Sequence, residues 1–406
     1  MPQVGLTMVP ESKMSESTDR DRVISSIQKS VQTPSVFGEE EAIAKFFADL
    51  MAEGGATKVE VREVEPGRPN VIGTWDTGLP GPRIALQGHM DTVPVGEHPE
   101  PFSGEIRDGA IYGRGASDMK GPLVTAALAA EFAFREKAGL RGSCQVVCTV
   151  DEESEKRGIF DIVDAGLEAD FGICVEPTDL RVAIAQKGCV SVRVTTKGRA
   201  SHGANPQEGI NAISKMAKVI QALDGMELPT VDIPGVGPVS GTLSIGVIEG
   251  GSMFFIVPDR CSIWIDRRTV PGETQSEAIE RIEEVVKSVD PEAEVVKERQ
   301  DWNWKRIQDR GIGSCSVDIE SPVVQAVLQG VESVTGGPPE LHVQNAWCET
   351  DFFVNDLGIP TVNLGPGKME LAHTSNEHID IESAVAGAQI LTSAIRTVLS
   401  DDGGVS

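Results

Sequence analysis

Positive charge is scarce in this sequence, which has 36 Lys and Arg residues against 62 Asp and Glu residues and a formal net charge of −26. Nucleic acid and anionic membrane surfaces are themselves negative, so this balance argues against both as partners. No apolar run reaches the roughly 18–20 residues that a membrane span requires. The start of the chain lacks the basic and apolar segments of a secretory signal, and residues 1–19 are expected to form a poorly ordered tail.

Cysteine is also sparse. The seven cysteines are odd in number, scattered along the chain and mostly embedded in apolar segments. This pattern differs from the disulfide-bonded framework of a small secreted protein. It also lacks the two closely spaced Cys or His pairs that hold a structural zinc ion. It favours reduced, buried thiols in a cytoplasmic protein.

The length and the periodicity predict two domains, because 406 residues exceed one ordinary core. Strands alternate with helices in residues 1–187 and again in residues 303–406, which predicts an α/β fold with a mixed, mostly parallel sheet flanked by helices. Residues 188–302 instead predict the order strand, helix, strand, strand, helix, strand. That split βαβ order is typical of a ferredoxin-like α+β domain, inserted in this chain into the first domain.

Histidine is rarer still, with six residues, which makes the setting of each one informative. In the segment GHMD, His89 and Asp91 directly follow a predicted strand over residues 83–88. Two residues apart in extended chain, their side chains point the same way. The carboxylate could therefore accept a hydrogen bond from one ring nitrogen while the other nitrogen binds a metal. A turn in which the two side chains only contact each other also explains this short pattern.

Acidic residues recur where other predicted strands end. Asp118 lies in the glycine-rich segment GRGASDMKG, as either the cap of the next helix or a carboxylate that bridges two metal ions. Glu152 and Glu153 end a strand in DEES, as either a solvated helix start or a general base beside a metal ligand. Glu176 follows a strand in VEPT, and His373 lies in the loop AHTSNEH. Each of these, taken singly, has a structural explanation.

Taken together and in this order, GHMD, GRGASDMKG, DEES, VEPT and AHTSNEH resemble the motifs of the dinuclear zinc aminoacylase and carboxypeptidase family. Its members include carboxypeptidase G, succinyl-diaminopimelate desuccinylase and acetylornithine deacetylase, and the resemblance covers about residues 20–400. It implies a metal-dependent hydrolase that cleaves the C–N bond of a small N-acyl amino acid or dipeptide-like amide. It also implies a homodimer formed through the inserted domain, which would act as a lid.

The resemblance also implies two divalent cations, with zinc favoured and manganese or cobalt as alternatives. His89 and Glu176 would hold one ion, Glu153 and His373 would hold the other, and Asp118 would bridge them. Such cations polarise the scissile carbonyl and lower the pKa of water.

Three catalytic roles and two substrate contacts follow from the same resemblance. Asp91 would fix the ring of the first histidine ligand, and Glu152 would be the general base and then the acid. His202, in GRASHGANP, would stabilise the oxyanion across the dimer interface, unless it is an exposed loop histidine. Arg268 would bind a substrate carboxylate through two parallel hydrogen bonds, unless it is an edge-strand charge. Gly367 would border the substrate pocket, unless it serves only a turn.

The sequence departs from the family pattern at Phe255, three residues before Pro258, where relatives carry an asparagine. Either this ring packs in the core of the inserted domain, or it faces a flat apolar group of the substrate. The second explanation leaves an aryl-amine aminohydrolase, acting on nitroaromatic aminobenzoates, as an alternative function. A non-catalytic binding protein is a third alternative, which the complete set of ligands and base disfavours.

Overall fold

The computed structural model describes residues 16–298 and 304–400. Most of the predicted tail, residues 1–15, lies outside the described residues. Residues 16–19 do not belong to such a tail, because a helix begins at Glu16. Ion pairs hold this helix in place: Asp19 pairs with Arg135 at 2.5 Å and Arg20 with Glu382 at 2.6 Å.

Helices and strands follow one another along the described residues. The helices are α1 Glu16–Val31, α2 Glu41–Glu53, α3 Lys120–Phe134, α4 Arg157–Asp164, α5 Ala212–Asp224, α6 Gln275–Val289, α7 Lys305–Arg310, α8 Pro322–Thr335 and α9 Ile381–Val398. The first ten strands are β1 Lys58–Glu65, β2 Arg68–Asp76, β3 Arg83–His89, β4 Glu105–Arg107, β5 Ala110–Tyr112, β6 Ser143–Thr149, β7 Phe171–Cys174, β8 Val182–Gln186, β9 Gly188–Lys197 and β10 Ser201–His202. The others are β11 Thr230–Ile233, β12 Gly237–Ser240, β13 Thr242–Gly250, β14 Ile256–Val257, β15 Arg260–Thr269, β16 Glu294–Lys297, β17 Cys315–Ser316, β18 Leu341–Gln344, β19 Thr361–Asn363 and β20 His378–Asp380.

The large sheet has the order β1-β2-β6-β3-β7-β19-β8-β17, and β18 pairs with β8. Its central strands β6, β3, β7 and β19 run parallel, whereas antiparallel pairs flank them. The predicted mixed α/β sheet with a mostly parallel centre is thereby confirmed. The carboxyl ends of the four central strands meet at one edge, which is where open sheets of this kind bind ligands.

Helix α3 is the central helix of this unit and is buried on almost every face. Its run of alanine, leucine and valine leaves no polar stripe, as expected of a helix enclosed by other elements. It packs against α1, α9 and the strands β3 and β6. Asp118 lies two residues before the start of α3 at Lys120. The packing of α3 on β3 and β6 therefore fixes the position of the loop that carries Asp118.

A second sheet has the order β13-β15-β9-β16 and is antiparallel throughout. With α5 and α6 between its strands, it has the predicted split βαβ chain order. Its apolar core is separate from that of the large sheet and includes Val192, Ile263, Met216 and Ile282. We propose from this separate core that residues 188–302 form the inserted domain, whose C-terminal boundary falls outside the described residues.

No helix of the described residues is both long and apolar enough to cross a bilayer. All seven cysteines lie in the described part and are buried there, as expected from the apolar segments that hold most of them. The cytoplasmic location stays a prediction.

A buried ion pair joins β15 of the second sheet to the turn before α6. Arg267 on β15 has no exposed surface, and its Nη2 donates to Glu273 Oε1 at 2.5 Å. Its Nε has no hydrogen-bond partner among the described residues, so the contacts of the charge there are this one carboxylate and the Arg268 carbonyl. A buried charge that loses its partner remains in a medium that solvates it poorly.

We predict that Glu273→Ala lowers the free energy of unfolding by about 3–5 kcal/mol, because it leaves the guanidinium uncompensated. The control Asp49→Ala removes the exposed pair of Lys45 and Asp49, whose side chains are 75% and 58% exposed. It should change the free energy by less than about 0.5 kcal/mol. Urea unfolding followed by circular dichroism measures both, and equal losses would contradict the prediction.

Candidate metal centre

The five predicted metal ligands converge at the carboxyl edge of the large sheet. His89 is the last residue of β3, Glu153 lies four residues after β6, and Glu176 lies two residues after β7. Asp118 precedes α3, and His373 lies in the loop before β20 with a positive φ of 65°. Residues almost three hundred positions apart in the sequence thus place their metal-binding atoms close together.

Asp118 occupies the middle of this group. Its Oδ1 lies 3.2 Å from His89 Nε2, and its Oδ2 lies 3.3 Å from His373 Nε2. Each carboxylate oxygen therefore faces a different imidazole, and the residue is buried. This is the arrangement expected of a carboxylate that bridges two cations.

Two groups of three donors share Asp118. In one, the donor atoms of His89, Asp118 and Glu176 lie within 4.8 Å of one another, and in the other those of Asp118, Glu153 and His373 do. The His373 Nε2 and Glu153 Oε1 atoms are 3.0 Å apart. Imidazole nitrogens with carboxylate oxygens are a donor set that zinc, cobalt and manganese accept, so the residues fit such ions.

Glu176 gives independent support for a cation. Its side chain is buried, with 4% of the residue exposed, and no donor among the described residues hydrogen-bonds to it. A carboxylate in such a place is costly unless a positive charge compensates it. Burial, together with the neighbouring Cys348 and Asp118, raises the pKa of Glu176 well above its usual range.

The electrostatics of the other ligands have the same origin. Hydrogen bonds with Asp118 and Glu153 raise the pKa of His373 to about 10. Burial and the charge of Asp118 raise the pKa of Glu153. Burial opposes ionisation of Asp118 as well, but hydrogen bonds from His373 and His89 outweigh it and lower that pKa. Burial opposes the ionisation of all three carboxylates, Asp118, Glu153 and Glu176, and a cation bound between them would favour it.

The structure differs from the sequence prediction in how Asp91 contacts His89. The ring Nδ1 donates to the backbone carbonyl of Asp91 at 2.9 Å, whereas the nearest carboxylate oxygen is 3.7 Å away. The chain leaves the strand at Met90, which brings the carbonyl rather than the side chain toward the ring. This bond still fixes the tautomer that leaves Nε2 free for a metal. The Asp91 carboxylate instead accepts the backbone N–H groups of Glu152 and Glu153 at 3.0 and 2.9 Å.

Glu152, the predicted base, is buried beside the metal ligands. Its Oε2 lies 4.0 Å from His89 Nε2, and its Oε1 accepts a hydrogen bond from Lys156 Nζ. Lys156 is fully buried, has a φ of 61° and places its ammonium 3.9 Å from the centre of the Trp347 ring. The sequence analysis did not identify Lys156; its position four residues after Glu152 was the one available signal.

Glu377 is a second residue that the sequence analysis missed. Its Oε1 accepts the backbone N–H groups of Gly115, Ser117 and Asp118 at 2.9, 3.1 and 3.0 Å, and its Oε2 binds Arg114. It therefore fastens the loop that carries Asp118 to the loop that carries the second histidine ligand. Glu377 belongs to the AHTSNEH motif, but nothing in the sequence showed which backbone it would contact.

Gly367 lies against the segment that carries Asp118, and its place at a substrate pocket stays a prediction. Its φ is +89°, and a Cβ atom there would lie 2.7 Å from Ser117 Oγ, next to Asp118. At Gly365 a Cβ would lie 2.3 Å from the Val175 carbonyl oxygen. Only glycine permits so close an approach, so these residues bring the loop against both ligand-bearing segments.

Three predicted residues of the proposed inserted domain have no hydrogen bond or ion pair to the metal ligands among the described residues. His202 is exposed, and its Nδ1 accepts the Ala204 N–H at 3.1 Å. Arg268 binds Asp266 through two hydrogen bonds of 2.8 and 3.0 Å. Phe255 is 46% exposed and lies outside the described apolar core of the second sheet, so the explanation by core packing is not observed. The roles of all three in substrate binding or catalysis stay predictions.

Comparison with known proteins identifies relatives over most of the chain. Residues 85–397 match the family described as Peptidase family M20/M25/M40. The chain is 29% identical to N-formyl-4-amino-5-aminomethyl-2-methylpyrimidine deformylase of Bacillus subtilis, over 89% of this chain and 90% of that protein. It is 30% identical to acetylornithine deacetylase of Myxococcus xanthus, over 85% of this chain and 86% of that protein.

A solved structure shares the fold. It is that of a dinuclear metal binding peptidase from the M20 family of Bacillus subtilis, with a TM-score of 0.70 and 16% identity, over 94% of this chain and 98% of that one. The resemblance that the motifs indicated is thus confirmed. The chain belongs to Peptidase family M20/M25/M40 and is a hydrolase that acts on C–N bonds.

Proposed function

We propose that the protein is a dinuclear metal-dependent amidohydrolase that removes a small acyl group from the nitrogen of an amino acid or a similar small amine. The observation that carries the proposal is the placement of Asp118, whose two carboxylate oxygens face His89 and His373 at 3.2 and 3.3 Å. Glu153 and Glu176 complete one donor group on each side.

The substrate class draws support from the relatives. One removes a formyl group and another an acetyl group, as their names state. Short acyl groups on a small amine are therefore the first compounds to test. A small-molecule substrate also suits a centre formed by buried residues at the ends of strands.

Two bound divalent cations would polarise the scissile carbonyl and lower the pKa of a water molecule. The residues of the chain provide the remaining chemistry. Glu152 would accept a proton from the attacking water at Oε2, since Oε1 is held by Lys156. It would then give that proton to the departing nitrogen, as a general base that turns into a general acid. Asp91 keeps Glu152 and Glu153 in place by binding both of their backbone N–H groups.

We further propose a homodimer in which the second sheet of one subunit reaches the centre of the other. Strand β13 is the last strand at one edge of that sheet, and its Val247 and Ile248 are 41% and 56% exposed. Phe254, in the following loop, is fully exposed. An open strand edge with exposed apolar side chains favours association with a second copy.

We predict that Glu152→Gln lowers kcat by about 10²–10⁴-fold, because the amide cannot accept the proton of water. The test is amine release from N-formyl, N-acetyl, N-succinyl and N-aroyl amino acids, dipeptides and nitro-substituted aminobenzoates after metal loading. The control Glu168→Gln changes an exposed surface carboxylate and should leave the rate unchanged. Release from an aminobenzoate alone would contradict the proposal in favour of the aryl-amine function, and equal rates in native protein and Glu152→Gln would remove Glu152 from the mechanism.

We predict that Asp118→Asn reduces the metal content from two ions per chain to fewer than one, because both donor groups use this carboxylate. Glu176→Gln should retain one ion, since it belongs to only one of the two hydrolytic groups. Elemental analysis after dialysis measures the content, and circular dichroism checks that both variants fold. Two ions retained by Asp118→Asn would contradict the bridging role.

We predict that Glu152→Gln and His202→Ala, each inactive alone, recover activity when the two proteins are mixed under conditions that exchange subunits. A mixed dimer holds one centre with an intact Glu152 and the intact His202 of its partner. Random exchange should therefore restore about a quarter of the native activity. Size-exclusion chromatography establishes the dimer. A dimer that recovers no activity would show that His202 does not act across the interface.

A further inference from the structure

Two cysteines lie beside Glu176 and form a donor group with it that includes none of the other predicted metal ligands. Cys174 is the last residue of β7, and Cys348 lies in the loop after β18. Their sulfur atoms and a carboxylate oxygen of Glu176 lie within 4.8 Å of one another, and all three residues are buried. None of the roles derived above uses either thiol.

The surroundings of these two thiols are polar. Cys174 donates to Gln87 Oε1 at 3.0 Å, and Cys348 donates to Gln186 Oε1 at 2.8 Å. By contrast, Cys144, Cys148, Cys189 and Cys261 belong to the apolar clusters of the core. The pair thus differs from cysteines that serve as small hydrophobic side chains.

The geometry separates this pair from the hydrolytic centre. Among the described residues, no group of three donors within 4.8 Å combines either sulfur with His89 or Asp118. Glu176 belongs to both groups and has no hydrogen-bond donor of its own among the described residues. One carboxylate therefore faces a set of nitrogen and oxygen donors on one side and a set of sulfur donors on the other.

We propose that Cys174, Cys348 and Glu176 form a second site, specific for thiophilic divalent cations such as Cd²⁺ or excess Zn²⁺, whose occupation inhibits the enzyme. Thiolate sulfur selects such ions over manganese or magnesium. Two sulfurs and one carboxylate oxygen give three protein donors and leave a position for water. The inhibition rests on the proposed function, because Glu176 would leave the hydrolytic centre to bind the incoming ion.

Binding involves no oxidation or reduction. Each S–H bond breaks as a sulfur–metal bond forms, the two protons pass to solvent, and the cation keeps its oxidation state. The hydrogen bonds to Gln87 and Gln186 are lost at the same time, so the site takes the ion only where its affinity for sulfur compensates for them.

The test uses the full-length protein loaded with manganese, which binds thiolates weakly, in the presence of a phosphine reductant. Cadmium is added, and the ultraviolet charge-transfer absorption of cadmium thiolate is measured together with bound cadmium. We expect one cadmium ion per chain with this absorption. Cys174→Ala and Cys348→Ala should each weaken cadmium binding by at least about tenfold. Loss of a residue that only hydrogen-bonds to a metal ligand already changes metal affinity by that much. Cys261→Ala, a buried cysteine of the second sheet, is the matched control and should bind as the native protein does.

The absorption reports the site whether or not a substrate has been found, so its failure and that of the proposed function are distinguishable. Cadmium binding without thiolate absorption would overturn the proposal, as would equal absorption in Cys348→Ala. A disulfide between Cys174 and Cys348 in the reduced sample, detected by mass spectrometry, would also overturn it. Where activity is measurable, half-inhibition by zinc should rise at least about tenfold in Cys348→Ala but not in Cys261→Ala.

Discussion

The rest of the structure depends on the crowding of buried negative charge around Asp118. Asp91, Asp118, Glu152, Glu153 and Glu176 bring five carboxylates into one region of the interior, where Lys156 is the one ammonium in contact with them among the described residues. The negative charge of these carboxylates, when ionised, exceeds the single positive charge of Lys156, and bound divalent cations would reduce that excess. Such repulsion is tolerable only where the backbone holds each group in place and cations compensate the charge.

The scaffold holds these like charges together largely through backbone N–H groups. Glu377 accepts three of them from the Asp118 loop, and Asp91 accepts two from the DEES segment. Neither carboxylate is itself a predicted metal ligand. Each fixes the backbone of a segment that carries ligands, and so keeps the side chains of that segment in place. The parallel strands favour this arrangement, because the carboxyl ends of β3, β6 and β7 lie at one edge of the sheet.

The predicted metal ligands and base lie apart from the other predicted site residues. The five ligand residues and the base lie at or near the carboxyl edge of the large sheet, whereas His202, Arg268 and Phe255 lie on or beside the second sheet. Within one chain these three residues have no hydrogen bond or ion pair to the ligands among the described residues. The exposed apolar edge of β13 belongs to that sheet, and the exposed Phe254 lies in the loop that follows it, which supports the proposal of a second subunit as the partner.

The sequence by itself predicted the α/β class, the split βαβ chain order and, through the family resemblance of its motifs, the residues that the structure brings together around Asp118; their roles as ligands and base stay predictions. It could do so because strand ends, rare histidines and isolated acids are local signals that keep their order along the chain. It did not show that the Asp91 carbonyl, and not its carboxylate, contacts His89, because that depends on how the chain leaves the strand. Nor did it reveal Lys156, Glu377 or the pairing of Cys174 with Cys348. Those contacts join segments that only folding brings together, so the tertiary structure alone decided them.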